Sequence, residues 1–340
     1  MQSTHGKIGC VTCHTGHSES EDKDAAHAGL IADPSGDSCG TCHKEVAELC
    51  STSLHTSLNG YTSILETRGG NLAAGSPLDT ALENHCNECH TTCGQCHISR
   101  PTQSGGGLVS NHKIKATPSM PYNCIGCHGS RVGDEYLGNN VGISADVHWK
   151  KAGMICTVCH GEVLHGTGKE SATRYDNPDS IQCESCHQNI SGSNMQHRQH
   201  LGNLACQVCH STTYSNCYNC HVAIDNEGLP YRTSDETEMN FKIGHNPLKS
   251  DSRPYEYVLL RHVPVTENTF DYYGDNLLPE FDAEPTWKYT TPHNIQLHTP
   301  QNADCSSCHG NEDLFLTEDD VSPEERMANR GVIVSDIPGD

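Results

Sequence analysis

The chain has 340 residues, of which 34% are hydrophobic and 5% aromatic, and its formal net charge is −22. So few apolar side chains are thin for a protein core of this length, and so large an acidic excess argues against nucleic acid as a partner. No stretch of the sequence is long and apolar enough to span a membrane as a helix.

One five-residue pattern, Cys-x-x-Cys-His, occurs ten times and uses twenty of the 21 cysteines. The pattern is typical of c-type haem attachment, in which two thiols bond to one porphyrin and the histidine binds its iron. The sequence therefore predicts ten covalent haems c (iron). Their attachment cysteines are Cys10, Cys13, Cys39, Cys42, Cys86, Cys89, Cys93, Cys96, Cys124, Cys127, Cys156, Cys159, Cys183, Cys186, Cys206, Cys209, Cys217, Cys220, Cys305 and Cys308. Their proximal ligands are His14, His43, His90, His97, His128, His160, His187, His210, His221 and His309.

Other uses of paired cysteines fit this pattern less well. Structural zinc sites combine Cys-x-x-Cys pairs, but nothing in them requires a histidine after every second cysteine. A disulfide framework favours varied spacings, and a thioredoxin-like redox pair occurs once, near a βαβ pattern. Haem is the interpretation that accounts for all ten copies.

In chain order, the motifs divide the sequence into five blocks. Residues 1–60 hold two motifs, and the run 44–49 after the second one predicts a short helix. Cys50 is the odd cysteine, for which a buried small residue is favoured over an intermolecular disulfide or a reactive thiol. Residues 61–84 form a haem-free spacer.

Residues 85–221 form the third block, with seven motifs, and we expect the porphyrins of two close pairs of motifs to lie in near contact. The pairs begin at Cys86 and Cys93 and at Cys206 and Cys217, and so little chain cannot separate their anchors further. Residues 222–304 contain no motif and form an aromatic-rich insert, in which 255–265 has a period-two pattern that predicts a strand. Residues 305–340 carry the last motif, and the capping-box pattern from Ser322 to Glu325 predicts a helix start.

These features predict a mostly irregular chain with short α-helices and a few short β-strands. Compactness would then come from the haems, in a multihaem cytochrome c architecture built around a stack of porphyrins. Because the porphyrin faces supply the apolar surface that the side chains lack, we expect a chain that cannot fold without haem.

The fourteen histidines outside the motifs are candidates for the second axial ligand of each iron. Three of them share one spacing, His-x11-Cys, before a motif: His27, His112 and His293. Three more lie shortly before a motif, His5, His148 and His200, and the ten are completed with His55, His165, His197 and His262. The remaining four, His17, His85, His245 and His298, are weaker candidates. Methionine is scarce, with six residues, so we expect histidine on both sides of each iron.

With these motifs and histidines, residues 5–310 resemble the multihaem c-type cytochromes with bis-histidine haems. The dense packing of motifs in an aromatic-poor chain is similar to extracellular cytochromes, some of which polymerise into filaments with a continuous haem stack. The resemblance implies an electron conduit rather than an enzyme, with redox partner proteins or extracellular acceptors as partners. Two alternatives stay open: a multihaem reductase of nitrogen or sulfur oxyanions with one open haem, and a monomeric periplasmic electron shuttle.

The resemblance also implies a location and a mode of assembly. Covalent haem attachment takes place outside the cytoplasm, so we expect an exported protein at the cell surface or beyond it, or else in the periplasm, although this sequence shows no signal peptide. A head-to-tail interface that does not close into a ring would give a homo-oligomeric filament. His5 is a candidate link, because it lies near the amino terminus and could bind a haem of the adjacent subunit; binding within its own chain is the alternative.

Overall fold

Short helices dominate the computed structural model, which describes residues 4–70, 72–89, 91–161, 163–170, 173–176, 181–263 and 266–339. The α-helices of this part of the chain are α1 Cys10–His14, α2 Lys23–His27, α3 Gly40–Cys42, α4 Lys44–Cys50, α5 Leu54–Ser57, α6 Asn59–Gly69, α7 Pro77–His85, α8 Cys93–His97, α9 Ile125–His128, α10 Asp134–Leu137, α11 Val147–Ala152, α12 Cys156–His160, α13 Cys183–Cys186, α14 Met195–His200, α15 Cys206–His210 and α16 Arg326–Asn329.

Single turns of other helix types lie between them. The 3₁₀ turns are His5–Lys7, Asn87–Cys89, Thr102–Ser104, Ile190–Gly192, Phe281–Ala283, Pro300–Asn302, Cys305–Ser307, Glu312–Leu314 and Glu318–Asp320. Three π turns span Ser35–Cys39, Met120–Cys124 and Gly129–Gly133.

Four of the Cys-x-x-Cys-His motifs are themselves complete helices, namely α1, α8, α12 and α15. Residues three apart share one face of a helix, so this conformation places both thiols of a motif on the same side. A capping box at α8, in which Thr92 and Gln95 bond each other's backbone, fixes where that helix begins. Helices of five residues are marginal alone, so contacts with other groups must hold them.

The chain forms two compact units. The first comprises residues 1–60, 86–128 and 156–179, and the second residues 61–85, 129–155 and 180–340. These units do not coincide with the five sequence blocks, because the seven-motif block 85–221 is divided between them.

The second unit contains the strands, β1 Tyr214–Ile224, β2 Pro230–Met239, β3 Lys242–His245, β4 Tyr257–His262 and β5 Trp287–Tyr289. β1 and β2 form an antiparallel hairpin, and β3, β4 and β5 form an antiparallel sheet with β4 in the centre. The core of this unit packs on that central strand, where Val258 and Leu260 are fully buried. Both faces of β4 are covered, since Leu259 is buried as well.

The coarse fold prediction is confirmed: short helices and small sheets are joined by much irregular chain. The helix predicted over 44–49 is α4, and the strand predicted over 255–265 is β4, although residues 264 and 265 lie outside the described residues. The predicted helix start at Ser322 is wrong. The chain turns there, the helix begins at Arg326, and the Glu325 carboxylate bonds His262 Nε2 at 2.9 Å instead of capping.

Candidate functional site

Four of the ten motif histidines make a hydrogen bond that fixes which ring nitrogen carries the proton. The Nδ1 atom of His14 lies 2.8 Å from the carbonyl oxygen of Ile31, and that of His97 lies 2.6 Å from Lys115 O. His210 and His309 make the same bond, at 3.0 Å each, to Gln296 O and Gly339 O. A carbonyl oxygen only accepts, so Nδ1 must donate, and Nε2 keeps a free lone pair. This is the tautomer that a metal-binding histidine requires.

Seven of the ten proximal histidines face a second imidazole of the same unit, which we call an axial pair. The axial pairs, with the distance between ring centres and the angle between ring planes, are His5/His43 (6.0 Å, 29°), His14/His112 (5.9 Å, 81°), His55/His128 (6.1 Å, 83°), His97/His165 (6.0 Å, 23°), His148/His187 (5.9 Å, 69°), His197/His210 (6.1 Å, 45°) and His200/His309 (6.0 Å, 42°). Each of the seven proximal residues has a different partner.

The separation in the axial pairs fits one metal ion bonded to both rings. A metal–imidazole bond is about 2 Å long and a ring nitrogen lies about 1 Å from its ring centre, so such rings have centres about 6 Å apart. The observed centres lie 5.9–6.1 Å apart, whereas the angles between the planes range from 23° to 83°. A constant separation with variable angles is expected when each ring turns freely about a common metal–nitrogen axis. The residues present therefore fit haem iron with two histidine ligands.

Several of these imidazoles are in surroundings that keep them neutral. Burial, with the nearby His128 and His160, lowers the pKa of His55 to about 4. Burial also lowers the pKa of His165, helped by His97, and that of His200, helped by His309. A neutral imidazole is the form that binds a metal, so the lowered pKa values of these three distal histidines favour metal binding.

Three of the ten candidate distal residues, His27, His262 and His293, are not members of the seven axial pairs. His262 bonds the Glu325 carboxylate and packs on Trp287, with ring centres 5.5 Å apart. His293 Nδ1 lies 3.7 Å from the Oε1 atom of Glu135, whose pKa burial raises to about 8. The proximal residues outside the pairs are His160 and His221, and His90 lies outside the described residues.

Two of the four weaker candidates have other neighbours. The Nε2 atom of the buried His85 lies 2.7 Å from the Tyr273 hydroxyl. His245 Nδ1 lies 3.5 Å from Glu256 Oε1, and its ring packs on Tyr257.

Cysteines of different motifs also meet in each unit. In the first unit the Cys39 thiol lies beside Cys93, Cys89 beside Cys127, and Cys124 beside Cys156. In the second unit the Cys183 thiol lies beside Cys206, and their sulfur atoms are within 4.8 Å of each other. If the thiols are attachment points, as the motifs predict, porphyrins bonded there would have edges in near contact. The motif beginning at Cys124 has neighbours on both sides, because its two cysteines contact two different motifs.

A small polar network joins two motifs of the first unit. The Asp33 carboxylate accepts hydrogen bonds from the hydroxyls of Ser35 and Thr92, the latter at 2.7 Å. The Ser35 hydroxyl in turn accepts from the Gly94 backbone nitrogen at 2.7 Å. Ser35 begins the π turn that ends at Cys39, and Thr92 caps the helix of the motif at Cys93. The network therefore holds these two attachment sites together.

The ninth motif, Cys217 to His221, lies in strand β1 rather than in a helix. A regular strand directs residues three apart to opposite faces, which would separate the two thiols. The pairing with β2 shifts between Tyr218 and His221, where two residues of β1 lie opposite one of β2. This β-bulge changes the alternation by one residue and returns Cys217 and Cys220 to one face. The motif itself does not indicate this conformation, since its residues follow the same pattern as the helical ones.

The odd cysteine, Cys50, closes helix α4. Burial, with the nearby Cys93 and Cys96, raises the pKa of its thiol to about 11. A thiol with so high a pKa is a poor nucleophile, which favours a packing role for Cys50 over a reactive one.

In comparisons with known proteins, no family model, curated protein or solved structure matches the chain. Within the described residues, no helix is both long enough and apolar enough to cross a membrane.

Proposed function

We propose that this protein is a multihaem c-type cytochrome that transfers electrons among ten covalently bound haems. The observation that carries the proposal is the set of seven axial pairs, each uniting a motif histidine with a distal histidine at the spacing that one iron requires. Haem iron bound in these sites supplies a one-electron couple between its ferric and ferrous states.

The cysteines, the proximal histidine and the distal histidine have separate roles in this proposal. The cysteine thiols of each motif would hold one porphyrin covalently, and the proximal histidine would bind the iron through Nε2. In four motifs a backbone carbonyl already holds Nδ1 and leaves Nε2 free for this role. The distal histidine would be the second ligand of that iron and would leave no open position for a substrate. Seven sites of this kind support electron transfer rather than an oxyanion reductase.

The contacts between motifs support conduction within each unit. Electrons move fast between porphyrins in near contact, and the paired thiols of different motifs bring attachment points that close. In the first unit, the motif at Cys124 would link the motifs at Cys86 and Cys156. The motif at Cys93 would lie beside that at Cys39 instead, so the spatial order of haems would differ from their order in the sequence.

Location and assembly belong to the same proposal. We infer export to the cell surface or beyond it, with redox proteins or extracellular acceptors as partners, because haem is attached outside the cytoplasm. A head-to-tail filament is the assembly that would extend conduction between molecules. His5 is no longer the residue we propose for that link, because its ring lies 6.0 Å from His43 of its own chain.

The intact mass of fully matured protein tests the cofactor content. We expect ten haems that acid–acetone does not extract, and the pair Cys305→Ala with Cys308→Ala should remove one of them. Nine or fewer haems in the unaltered chain would contradict the proposal. Cyanide then separates the conduit from a reductase: a conduit leaves the low-spin spectrum of oxidised protein unchanged, whereas a reductase binds cyanide at its open iron.

A further inference from the structure

One axial histidine differs from the other described ones in the group that holds its Nδ1 atom. His14, His97, His210 and His309 donate to neutral backbone carbonyls, and His197 Nδ1 lies 2.6 Å from the Ser193 hydroxyl. His148 Nδ1 lies 3.0 Å from the carboxylate oxygen Oδ1 of Asp146. Among the Nδ1 hydrogen bonds described for the axial pairs, this is the one made to a carboxylate.

Asp146 is fixed in this position from several sides. Its side chain is buried, with 1% of the residue exposed. Oδ1 also accepts from the His148 backbone nitrogen at 2.7 Å, which caps helix α11, and Oδ2 accepts from the Ile295 backbone nitrogen at 2.7 Å. These two backbone bonds hold the carboxylate against the imidazole.

A carboxylate on Nδ1 makes the imidazole a stronger electron donor at Nε2. A negative charge held near a metal in a site of low dielectric constant also favours the more positive oxidation state. Both effects oppose reduction. Carbonyl and hydroxyl partners exert them less, since they carry no net charge.

We propose that Asp146 is a positioning residue that lowers the reduction potential of the haem bound by His148 and His187 below those of the axial pairs held by carbonyl groups. The inference rests on the proposed function, since it needs haem in that site. Reduction adds one electron to the iron and moves no proton, because the Nδ1 proton stays on His148 between the two residues. Within the second unit, this haem would then be reduced after its neighbours and would pass its electron on to them.

Two substitutions test the proposal in the intact, fully loaded protein. Asp146→Asn keeps an oxygen that can accept from Nδ1 and removes the charge, and Asp146→Ser gives His148 the kind of partner that His197 already has. Both residues are good helix caps, so α11 should remain. The matched control is Asp225→Asn, which removes the same charge from an exposed turn where Asp225 accepts from the backbone of Glu227 and Leu229.

The measurement is a redox titration followed by NMR, in which the methyl signals of individual haems resolve single sites. In both Asp146 variants we expect one haem to become easier to reduce by about tenfold in its ferrous-to-ferric ratio, which is about 59 mV for one electron. The control should leave that haem unchanged. Reduction potentials that match those of the control in both variants would overturn the proposal. Loss of the haem at the seventh motif, which contains His187, in both variants would also overturn it, because Asp146 would then serve folding. Failure of the proposed function is distinguishable, because the intact mass would then lack haem before any titration.

Discussion

The substitution His112→Ala tests the axial pairs at a single iron. His112 faces His14, with ring centres 5.9 Å apart and planes at 81°. Removing its imidazole leaves the iron of the first motif with one histidine, and an iron with an open position becomes high spin. His14 keeps its hydrogen bond to Ile31, and the thiols of the motif are unaffected. The haem should therefore remain attached.

The expected magnitude follows from the number of motifs. One of ten haems should change, so about a tenth of the low-spin signal of the oxidised protein should be lost. Electron paramagnetic resonance measures that fraction, and added imidazole should restore it by filling the open position. The matched control is His245→Ala, since the His245 ring packs on Tyr257 and faces Glu256.

A full low-spin signal in His112→Ala would refute the pairing, and so would an equal loss in the control. The same substitution at His27 and His293 tests the His-x11-Cys interval itself. If the shared spacing marks axial ligands, each of the three substitutions should change one haem from low spin to high spin. If the contact with a motif histidine marks them, His112→Ala should change one haem whatever the other two substitutions do.

Three further predictions concern ring geometry, acid stability and packing. The axial pairs with planes at 81° and 83° should give strongly anisotropic low-spin signals, and those at 29° and 23° rhombic ones, in the resonance spectrum of the oxidised protein. Burial raises the pKa of Asp33, but hydrogen bonds from Ser35 and Thr92 outweigh it and hold that pKa below the usual value. The ionised Asp33 therefore contributes fully to the free energy of unfolding above about pH 4, and this contribution is lost as the pH falls through the lowered pKa. The free energy of unfolding of Asp33→Asn should accordingly fall less on acidification than that of the unaltered protein. Leu260→Ala, at a fully buried position of β4, should cost about 2–5 kcal/mol in urea unfolding followed by circular dichroism, whereas Leu229→Ala, at a 58% exposed position, should change little.

The sequence identified most of the residues that meet at the axial pairs but not which ones meet. His5 lies four residues before the first motif, yet its ring faces His43 of the second. His112 precedes the fifth motif and faces His14 of the first, and His200 precedes the eighth and faces His309 of the tenth. For these three residues, the motif that a histidine precedes is therefore not the motif whose histidine it faces.

The partner of each motif histidine depends on how the chain folds back in its unit. In a helical motif the two thiols and the proximal imidazole lie on one side of the porphyrin, and the next residues of the chain continue on that side. The opposite face must therefore be reached by a segment that folds back from elsewhere in the unit, and spacing along the chain does not determine which segment does so. The abundance of histidine was informative because every such segment needs one.

Two features depend on tertiary structure in the same way. The ninth motif follows the helical pattern in sequence, yet it pairs with β2 and needs a bulge to bring Cys217 and Cys220 to one face. Asp146 lies two residues before His148 and reads as an ordinary helix cap. Its role as the partner of an axial imidazole depends on burial and on the Ile295 backbone, which the sequence does not show.

A high-resolution structure of the fully matured protein would show whether each axial pair binds one iron. Iron positions located by anomalous scattering can be compared with the seven axial pairs. We expect one iron between the two rings of each pair, about 2 Å from both Nε2 atoms. Irons bonded to a motif histidine but not to the distal partner named here, in two or more of the seven pairs, would contradict it.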